Sequence, residues 1–282
     1  MKTHQRLAGF GIAGNSAGHL DQTGEIAALD VSDQSDKPRA LFPFYVPDAS
    51  DDYLTVDPYS SDTLQLPDDE DAIVQMEPEL AIRFSVQKPL NGHVIQLIPR
   101  AMTVANDATH RNCKASKLAQ KKNWGQASKG LANVEVALEQ FDSGLGHFRL
   151  CGFHYRNGTW QLTGKDTALT DYTVFYDELT QWINKQAATQ SDEGALHNIQ
   201  GLLKASDDSS DVYIMVGAVR YTEYGETHRL QAGDKTAVIL YDSRKHSACE
   251  IQNELEQCWE CAGEGVVSLV QVVRGGLTAF SF

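Results

Sequence analysis

The pattern of hydrophobic and polar positions along the chain predicts more strands than helices. Several runs combine the length of a strand with β-branched and aromatic residues, and they lie at residues 79–86, 93–98, 102–105, 146–155, 158–163, 211–219, 236–241 and 266–273. Asn157-Gly158 separates two of these runs and favours a tight hairpin turn, because both residues tolerate positive φ.

Helical periodicity is less common. Residues 108–122 lack Gly and Pro and predict a helix, and residues 174–187 predict an amphipathic helix with Leu179 and Ile183 on its apolar face. Ser191 would cap a further helix that continues to residue 203. Because strands and helices do not alternate regularly, the pattern argues against a doubly wound parallel sheet and predicts a mixed α/β, β-rich fold.

Composition narrows the class of protein. A chain of 282 residues can bury a full core without disulfides, as one large domain or two small ones. Its net charge of -14 would be repelled by nucleic acid, so no nucleic-acid partner is expected. No apolar run reaches the roughly 20 residues of a membrane helix, and none near the start suits a signal peptide. Five cysteines without framework spacing fit a reducing cytoplasm, the expected location.

Glu77-Pro78-Glu79 is the first feature that indicates chemistry. On an extended chain residues two apart point to the same face, and Pro78 keeps its neighbours out of helix. Two carboxylates on one face repel each other unless a cation lies between them, and hard oxygen ligands suit Mg²⁺, Mn²⁺ or Ca²⁺. The alternative is a solvated acidic edge.

Asp107 follows an apolar run and is a candidate third ligand, although it could equally cap the helix predicted after it. Arg111 lies four residues further on. It could orient the Asp107 carboxylate or hold an anionic substrate group in a two-pronged grip.

These acidic residues fall in a pattern that resembles the fumarylacetoacetate hydrolase superfamily. In that family a Glu-x-Glu pair and a later Asp in a segment like VANDxxxR hold the metal, and residues 104–111 read VANDATHR. Further similar motifs follow in the family's order over residues 9–242, and they are Gly14–His19, Pro38–Phe42, Trp124–Gly130, Asn157–Gln161 and Gln231–Asp234. The resemblance implies one domain over residues 1–282, with a β-roll or β-sandwich and peripheral helices, and leaves 243–282 unassigned.

The resemblance also implies roles for individual residues. Glu77, Glu79 and Asp107 would hold the metal, Mg²⁺ first among the candidates, and Lys129 matches the family's catalytic lysine. His19 is the implied general base, oriented by Glu25 or Asp21, because imidazole titrates near working pH. Several positions depart from the family: Ser16 replaces a Tyr, Lys114 a Gln, and Val216–Val219 stand where a Thr-Gly-Thr-Pro turn is usual.

The function implied is that of a metal-dependent enzyme acting on a small 2-oxo or 2,4-dioxo acid. The metal would polarise the keto group and draw off enolate charge, while Lys129 or Arg111 supplies positive charge. With His19 as base the reaction would be C–C bond hydrolysis, and without it decarboxylation or tautomerisation. A rival hypothesis is a metal- and ligand-binding protein that has lost turnover, and a second rival is a purely structural cation site. Family members are commonly homodimers, so a homodimer is expected.

Two other motifs are weaker. His246, Cys249, Cys258 and Cys261 have the residue types of a structural zinc site, but helical spacing around Leu255 favours an amphipathic helix with partly buried cysteines. Residues 9–14 match GxGxxG letter for letter. They lack a clear preceding strand and are interpreted as a glycine-rich turn rather than a nucleotide site.

Overall fold

The computed structural model describes residues 7–16, 37–88, 95–205 and 211–276. Its strands, in chain order, are β1 (Ala8–Ala13), β2 (Ala40–Tyr45), β3 (Tyr59–Ser60), β4 (Thr63–Gln65), β5 (Val74–Gln75), β6 (Pro78–Gln87), β7 (Gln96–Asn106), β8 (Thr109–His110), β9 (Lys129–Leu131), β10 (Val136–Ala137), β11 (Phe148–Arg156), β12 (Thr159–Ala168), β13 (Asp211–Ala218), β14 (Lys235–Asp242) and β15 (Val266–Arg274). The α-helices are α1 (Asp52–Thr55), α2 (Tyr176–Thr189), α3 (Ile199–Ala205), α4 (Glu223–Thr227) and α5 (Ala248–Cys258), and 3₁₀ turns span Leu118–Lys121 and Leu169–Asp171.

Two mixed sheets and a short antiparallel pair hold the described strands. The first sheet has the order β2-β1-β13-β6-β7-β9-β3, with β10 paired to β7, and the second has the order β12-β11-β14-β15-β4. Strands β5 and β8 pair separately. The predicted mixed, β-rich fold is confirmed, and the expected hairpin is present, with Asn157 at φ 55° and Gly158 at φ 86°.

The first half of strand β6, residues 78–82, is buried on both faces, and apart from Glu79 its residues are apolar. Leu80, Ile82 and Phe84 point into the main core, which also contains Leu240 and Leu269 from the second sheet. The alternate residue Ala81 faces a second core, whose other members include Phe42, Phe44 and Tyr213. The second sheet therefore packs against the first at β6. The site described below lies at the start of this strand.

Gly9 and Gly11 belong to strand β1, so the predicted glycine-rich turn is wrong for most of residues 9–14. A Cβ on Gly9 would overlap the Phe44 ring, and one on Gly11 would overlap the Phe42 ring. These two glycines make room for the aromatic side chains of the second core. Only Gly14, at φ 87°, forms the turn that follows.

The helix predictions were partly right. Helix α2 matches its prediction, with Leu179 and Ile183 buried. The helix predicted at 108–122 is wrong, because Thr109 and His110 pair with β5 and only a short 3₁₀ turn follows. Ser191 is exposed and caps nothing, since α3 begins at Ile199. Within the described ranges no helix is both long and apolar enough to cross a membrane.

The segment left unassigned from the sequence completes the second sheet. Strand β15 pairs with β14 and β4, and α5 packs Ile251 and Leu255 into a third cluster with Trp160. The indole N–H of Trp160 donates to the carbonyl oxygen of Leu255 at 3.1 Å. The capping box of Ser247 and Glu250 fixes where α5 begins.

Replacing Gly152 with Ala should lower the free energy of unfolding by about 1–3 kcal/mol, the usual cost of overpacking a core. The new Cβ would overlap Cγ of Pro78, where β11 of the second sheet crosses β6. Gly146→Ala is the matched control, because its nearest neighbour would be a methyl group at 3.4 Å. Urea unfolding followed by circular dichroism measures both, and equal stability of the two variants would contradict this account of the packing.

Candidate metal centre

The pairing of β6 with β7 brings the three predicted acidic residues together. Pro78 pairs with Asn106 and Glu79 with Ala105, so the start of one strand lies beside the end of the other. The backbone N–H of Asp107 donates to the carbonyl oxygen of Glu77 at 2.9 Å. One carboxylate oxygen from each of Glu77, Glu79 and Asp107 lies within 4.8 Å of the others, and each residue is at most 3% exposed.

Asn106 ties this junction to the second sheet. Its side-chain oxygen accepts the backbone N–H of Glu77 at 3.1 Å, and its amide nitrogen donates to Oε1 of Gln271 at 3.1 Å. Because Gln271 belongs to β15, both sheets hold the Glu77 backbone in place. The sequence does not show this link, since the two residues are 165 positions apart.

Lys122 is part of the site, although the sequence did not single it out. Its Nζ lies 2.6 Å from Oε2 of Glu77 and 2.6 Å from Oδ2 of Asp107, and the side chain is 4% exposed. The residue follows the 3₁₀ turn Leu118–Lys121 and stands beside another lysine. Adjacent lysines such as Lys121 and Lys122 are usually solvated. Nothing in the sequence indicates that one of the two is buried.

Lys129, at the start of β9, lies behind Asp107. Its Nζ is 2.8 Å from Oδ1 of Asp107 and also donates to the carbonyl oxygen of Ala108, and the side chain is fully buried. Burial lowers the pKa of the Lys129 ammonium to about 8, and the nearby Asp107 carboxylate limits the fall. Lys129 is absent from the walls of the pocket above the carboxylates, whereas Lys122 is one of them.

Arg111 contacts Glu77 rather than Asp107. Its Nη2 donates to Oε1 of Glu77 and, at 3.1 Å, to the hydroxyl of Tyr221, while Nε donates to Oε1 of Gln75 at 2.9 Å. The β5–β8 pairing, rather than a helical turn, carries Arg111 to this position. Glu77 is therefore held by two cations, one on each carboxylate oxygen.

Glu79 differs from the other two acids. Its Oε2 accepts the backbone N–H of Gly217 at 2.9 Å, and no described lysine or arginine forms an ion pair with it. Burial, followed by the negative charge of Asp107, raises the pKa of Glu79 well above its ordinary value. Gly217 lies at a bulge of β13, at φ 125°, within residues 216–219, singled out from the sequence as a departure from the resembled family.

A small pocket opens on the carboxylates. Its walls are formed by Ile12, Ala13, Gly14, Asn15, Ser16, Phe42, Glu77, Glu79, Asp107, Leu118, Lys122, Gly217 and Ala218. The free space of about 20 Å³ is enough for one water-sized group, which needs roughly 10–15 Å³. An oxo acid is larger than this free space, and Lys122 is the charged group that takes up room beside the carboxylates.

The donor set fits a hard divalent cation. All three donors are carboxylate oxygens, and a Mg²⁺ ion with ligands at about 2.1 Å places them at most about 4.2 Å apart. The three donor oxygens lie within 4.8 Å of one another, so a small movement would bring all three within reach of one ion. Two of the three carboxylates already meet a cation, the Lys122 ammonium, at the distances of strong charge-assisted hydrogen bonds.

Other predicted site residues are not brought into this cluster. His19, Asp21 and Glu25 lie outside the described residues. The four proposed zinc ligands do not converge: Cys249 and Cys258 are exposed, Cys261 is buried, and His246 contacts the carbonyl oxygen of Glu264. Among the described residues, the acidic triad is the one group of three or more such side chains close enough to share an ion.

Comparison with solved structures identifies the class of fold. A structure of Cg1458 with an inhibitor aligns with a TM-score of 0.56 at 14% identity, covering 95% of this chain and 77% of that one. The 2-keto-3-deoxy-D-arabinonate dehydratase complexed with magnesium and 2,5-dioxopentanoate gives 0.52 at 13% identity, covering 95% and 73%. The 5-carboxymethyl-2-hydroxymuconate delta-isomerase from Mycobacterium smegmatis gives 0.51 at 15% identity, covering 95% and 78%. The chain therefore has the fumarylacetoacetate hydrolase superfamily fold, as its motifs predicted, at low sequence identity.

Comparison of the sequence with models of known families identifies the family to which this chain belongs. The chain belongs to the family described as a family of unknown function, DUF5718, whose model matches residues 24–273. A search of curated proteins by sequence finds no match. Family membership therefore brings no reaction with it, and the function has to be argued from the site.

Proposed function

We propose that this protein is a divalent-metal-dependent enzyme that promotes enolate chemistry on a small 2-oxo or 2,4-dioxo acid. The observation that carries the proposal is the acidic triad of Glu77, Glu79 and Asp107, buried and within 4.8 Å, at the base of a pocket. Three buried carboxylates repel one another strongly, and a fold keeps such a cluster when it binds cations. Mg²⁺ is the first candidate, with Mn²⁺ and Ca²⁺ as alternatives.

The protein side chains divide into two groups by position. Arg111 and Lys129 lie outside the pocket and hold Glu77 and Asp107 in fixed orientations. Lys122 lies on the pocket side, where its ammonium can reach the carboxylate of a bound oxo acid. A divalent cation bound to the triad would act as a Lewis acid toward the carboxylate and keto oxygens of an oxo acid.

Several reactions share the formation of an enolate beside the keto group. Decarboxylation, tautomerisation and C–C bond hydrolysis all pass through an enolate, and only hydrolysis needs an activated water. His19, with Glu25 or Asp21 as its orienting acid, remains the predicted base for that water. The dehydratase bound to magnesium and 2,5-dioxopentanoate, and the muconate isomerase, support the oxo-acid class for a protein of this fold.

Hydrogen–deuterium exchange at C3 of 2-oxo acids tests the proposal, because it reports enolate formation whichever reaction follows. The protein in D₂O with Mg²⁺ is incubated with pyruvate, 2-oxobutyrate, 2-oxoglutarate or acetylpyruvate, and proton NMR follows loss of the C3 signal. We expect exchange of at least one acid to exceed the protein-free rate by about 100-fold or more, as general acid–base catalysis supplies. Chelation with EDTA should abolish it.

Glu79→Gln should remove the exchange, while Glu178→Gln, an exposed glutamate of α2, should keep it. Failure of the protein to bind Mg²⁺ or Mn²⁺ would refute the proposal. Binding of the metal and the acid without any exchange would instead favour the second candidate, a binding protein that has lost turnover. The tight pocket, partly filled by Lys122, is the observation that favours this candidate.

A further inference from the structure

We infer that Lys122 competes with the metal for the acidic triad, and that metal binding releases its ammonium to become the anchor for the carboxylate of the ligand. This inference rests on the proposed function and concerns how the metal site is regulated. It assigns a specific task to a residue that the sequence motifs do not single out.

The Lys122 ammonium occupies the position that a shared cation would take. It bridges Glu77 and Asp107 at 2.6 Å from each. A metal ion that used these same two oxygens would lie within a few ångströms of the ammonium, where two positive charges repel each other strongly. Binding of a divalent ion therefore requires the lysine to leave its two partners.

The charges of the cluster also favour an exchange. It contains three carboxylates and three cations, which are Lys122, Lys129 and Arg111. With Lys122 in place the cluster is close to neutral and attracts a further cation weakly. Lys129 and Arg111 lie outside the pocket and hold other faces of the carboxylates, so Lys122 is the cation positioned for exchange.

The Phe42 ring, which the Lys122 ammonium already faces while it is bound to the carboxylates, can keep that ammonium in the pocket after its release. Lys122 lines the pocket together with Phe42, and its Nζ lies 5.3 Å from the centre of the Phe42 ring. An ammonium facing an aromatic ring gains a favourable cation–π interaction. A long, flexible lysine side chain can therefore leave the carboxylates and remain in the pocket.

Metal binding and anion binding are coupled as a result. Before the exchange an entering carboxylate meets a neutral cluster whose ammonium is already engaged. After the exchange it meets a divalent cation and the released ammonium, so the site carries excess positive charge. Linkage requires that the anion then raise metal affinity by the same factor as the metal raises anion affinity.

Mn²⁺ binding to the 282-residue chain tests the inference, with free Mn²⁺ measured by electron paramagnetic resonance at pH 7 with and without pyruvate. Lys122→Met should bind Mn²⁺ alone at least about tenfold more tightly than the unmodified protein, because no charged group has to be displaced. Pyruvate should raise the Mn²⁺ affinity of the unmodified protein at least about tenfold and that of Lys122→Met by less than about twofold.

Lys121→Met, at the neighbouring lysine, is the matched control and should behave like the unmodified protein. Lys122→Gln replaces the Met variant if circular dichroism shows that the latter is unfolded. Equal or weaker Mn²⁺ binding by a folded Lys122 variant, or coupling that survives the substitution, would overturn the inference and leave the metal site standing. Absence of Mn²⁺ binding in all the proteins would overturn the proposed function as well.

Discussion

Asp107→Asn should lower the free energy of unfolding by about 3–5 kcal/mol, the cost of removing one partner from a buried ion pair. Asp107 is 1% exposed and meets the ammonium groups of Lys122 and Lys129 at 2.6 and 2.8 Å. The amide keeps the shape of the side chain but not its charge. Its one oxygen could accept from only one of the two lysines, its NH₂ group would face the other ammonium, and both buried lysines would lose the neutralising charge.

A loss of this size is a large fraction of the roughly 5–15 kcal/mol that stabilises a typical protein. Urea unfolding of the metal-free protein at pH 7 measures it. Asp192→Asn is the control, because Asp192 pairs with Lys117 at 2.6 Å but its side chain is 59% exposed, and exposed pairs contribute at most about 1 kcal/mol. If Asp107→Asn cost no more than this control, the buried ion pairs of Asp107 would not stabilise the fold.

Glu79→Gln should weaken Mg²⁺ binding by about 100-fold or more, because it removes a charged oxygen ligand from a three-carboxylate site. The same change should leave the stability of the metal-free protein unchanged or higher at pH 7. Glutamine keeps an oxygen for the Gly217 N–H and removes a buried charge that lacks a paired lysine or arginine among the described residues. The Glu79 carboxylate would thus increase metal affinity while lowering the stability of the metal-free protein.

The pH dependence of the stability of the metal-free protein tests whether the buried charge of Glu79 is unfavourable. Burial raises the pKa of Glu79 in the folded protein well above its ordinary value of 4.5, so the folded state holds the proton more firmly than the unfolded state. The stabilisation is fully present below the ordinary pKa of 4.5 and is lost as the pH rises through the raised pKa. Metal-free protein should therefore lose stability in that window, and Glu79→Gln should lose less.

Melting temperatures between about pH 4.5 and 8, with EDTA present, test this expectation. Glu178→Gln, which changes an exposed acid, should follow the unmodified protein at every pH. Identical pH profiles for Glu79→Gln and Glu178→Gln would show that Glu79 carries no unfavourable charge in the folded state. Isothermal titration with Mg²⁺ at pH 7 completes the comparison of stability with metal affinity.

Local sequence determined much of the outline. The Asn157-Gly158 turn follows from the φ angles that these two residues tolerate, and the apolar runs form strands because their side chains need burial. Glu77 and Glu79 are close together for a local reason as well, since extended chain places every second side chain on one face. Asp107 joins them because β6 and β7 are consecutive antiparallel neighbours.

Tertiary contacts decided the rest. The segment 108–122 has helical composition, yet Thr109 and His110 pair with β5, and sheet pairing outweighs helix propensity here. No local pattern distinguishes Lys122 from Lys121. Burial between Glu77 and Asp107 makes the difference, and it depends on where a 3₁₀ turn ends.

The sequence by itself thus determined the β-rich class, the hairpin and the three acidic residues, all from periodicity, turn chemistry and motif spacing along neighbouring strands. Only the tertiary structure decided which carboxylate each cation meets, and that Lys122 is one of these cations. Lys122, Lys129 and the Gly217 N–H approach from separate segments, and the last lies 138 residues from its partner Glu79. The balance of charge in a buried site depends on distances through space, and these are set by the packing of the two sheets.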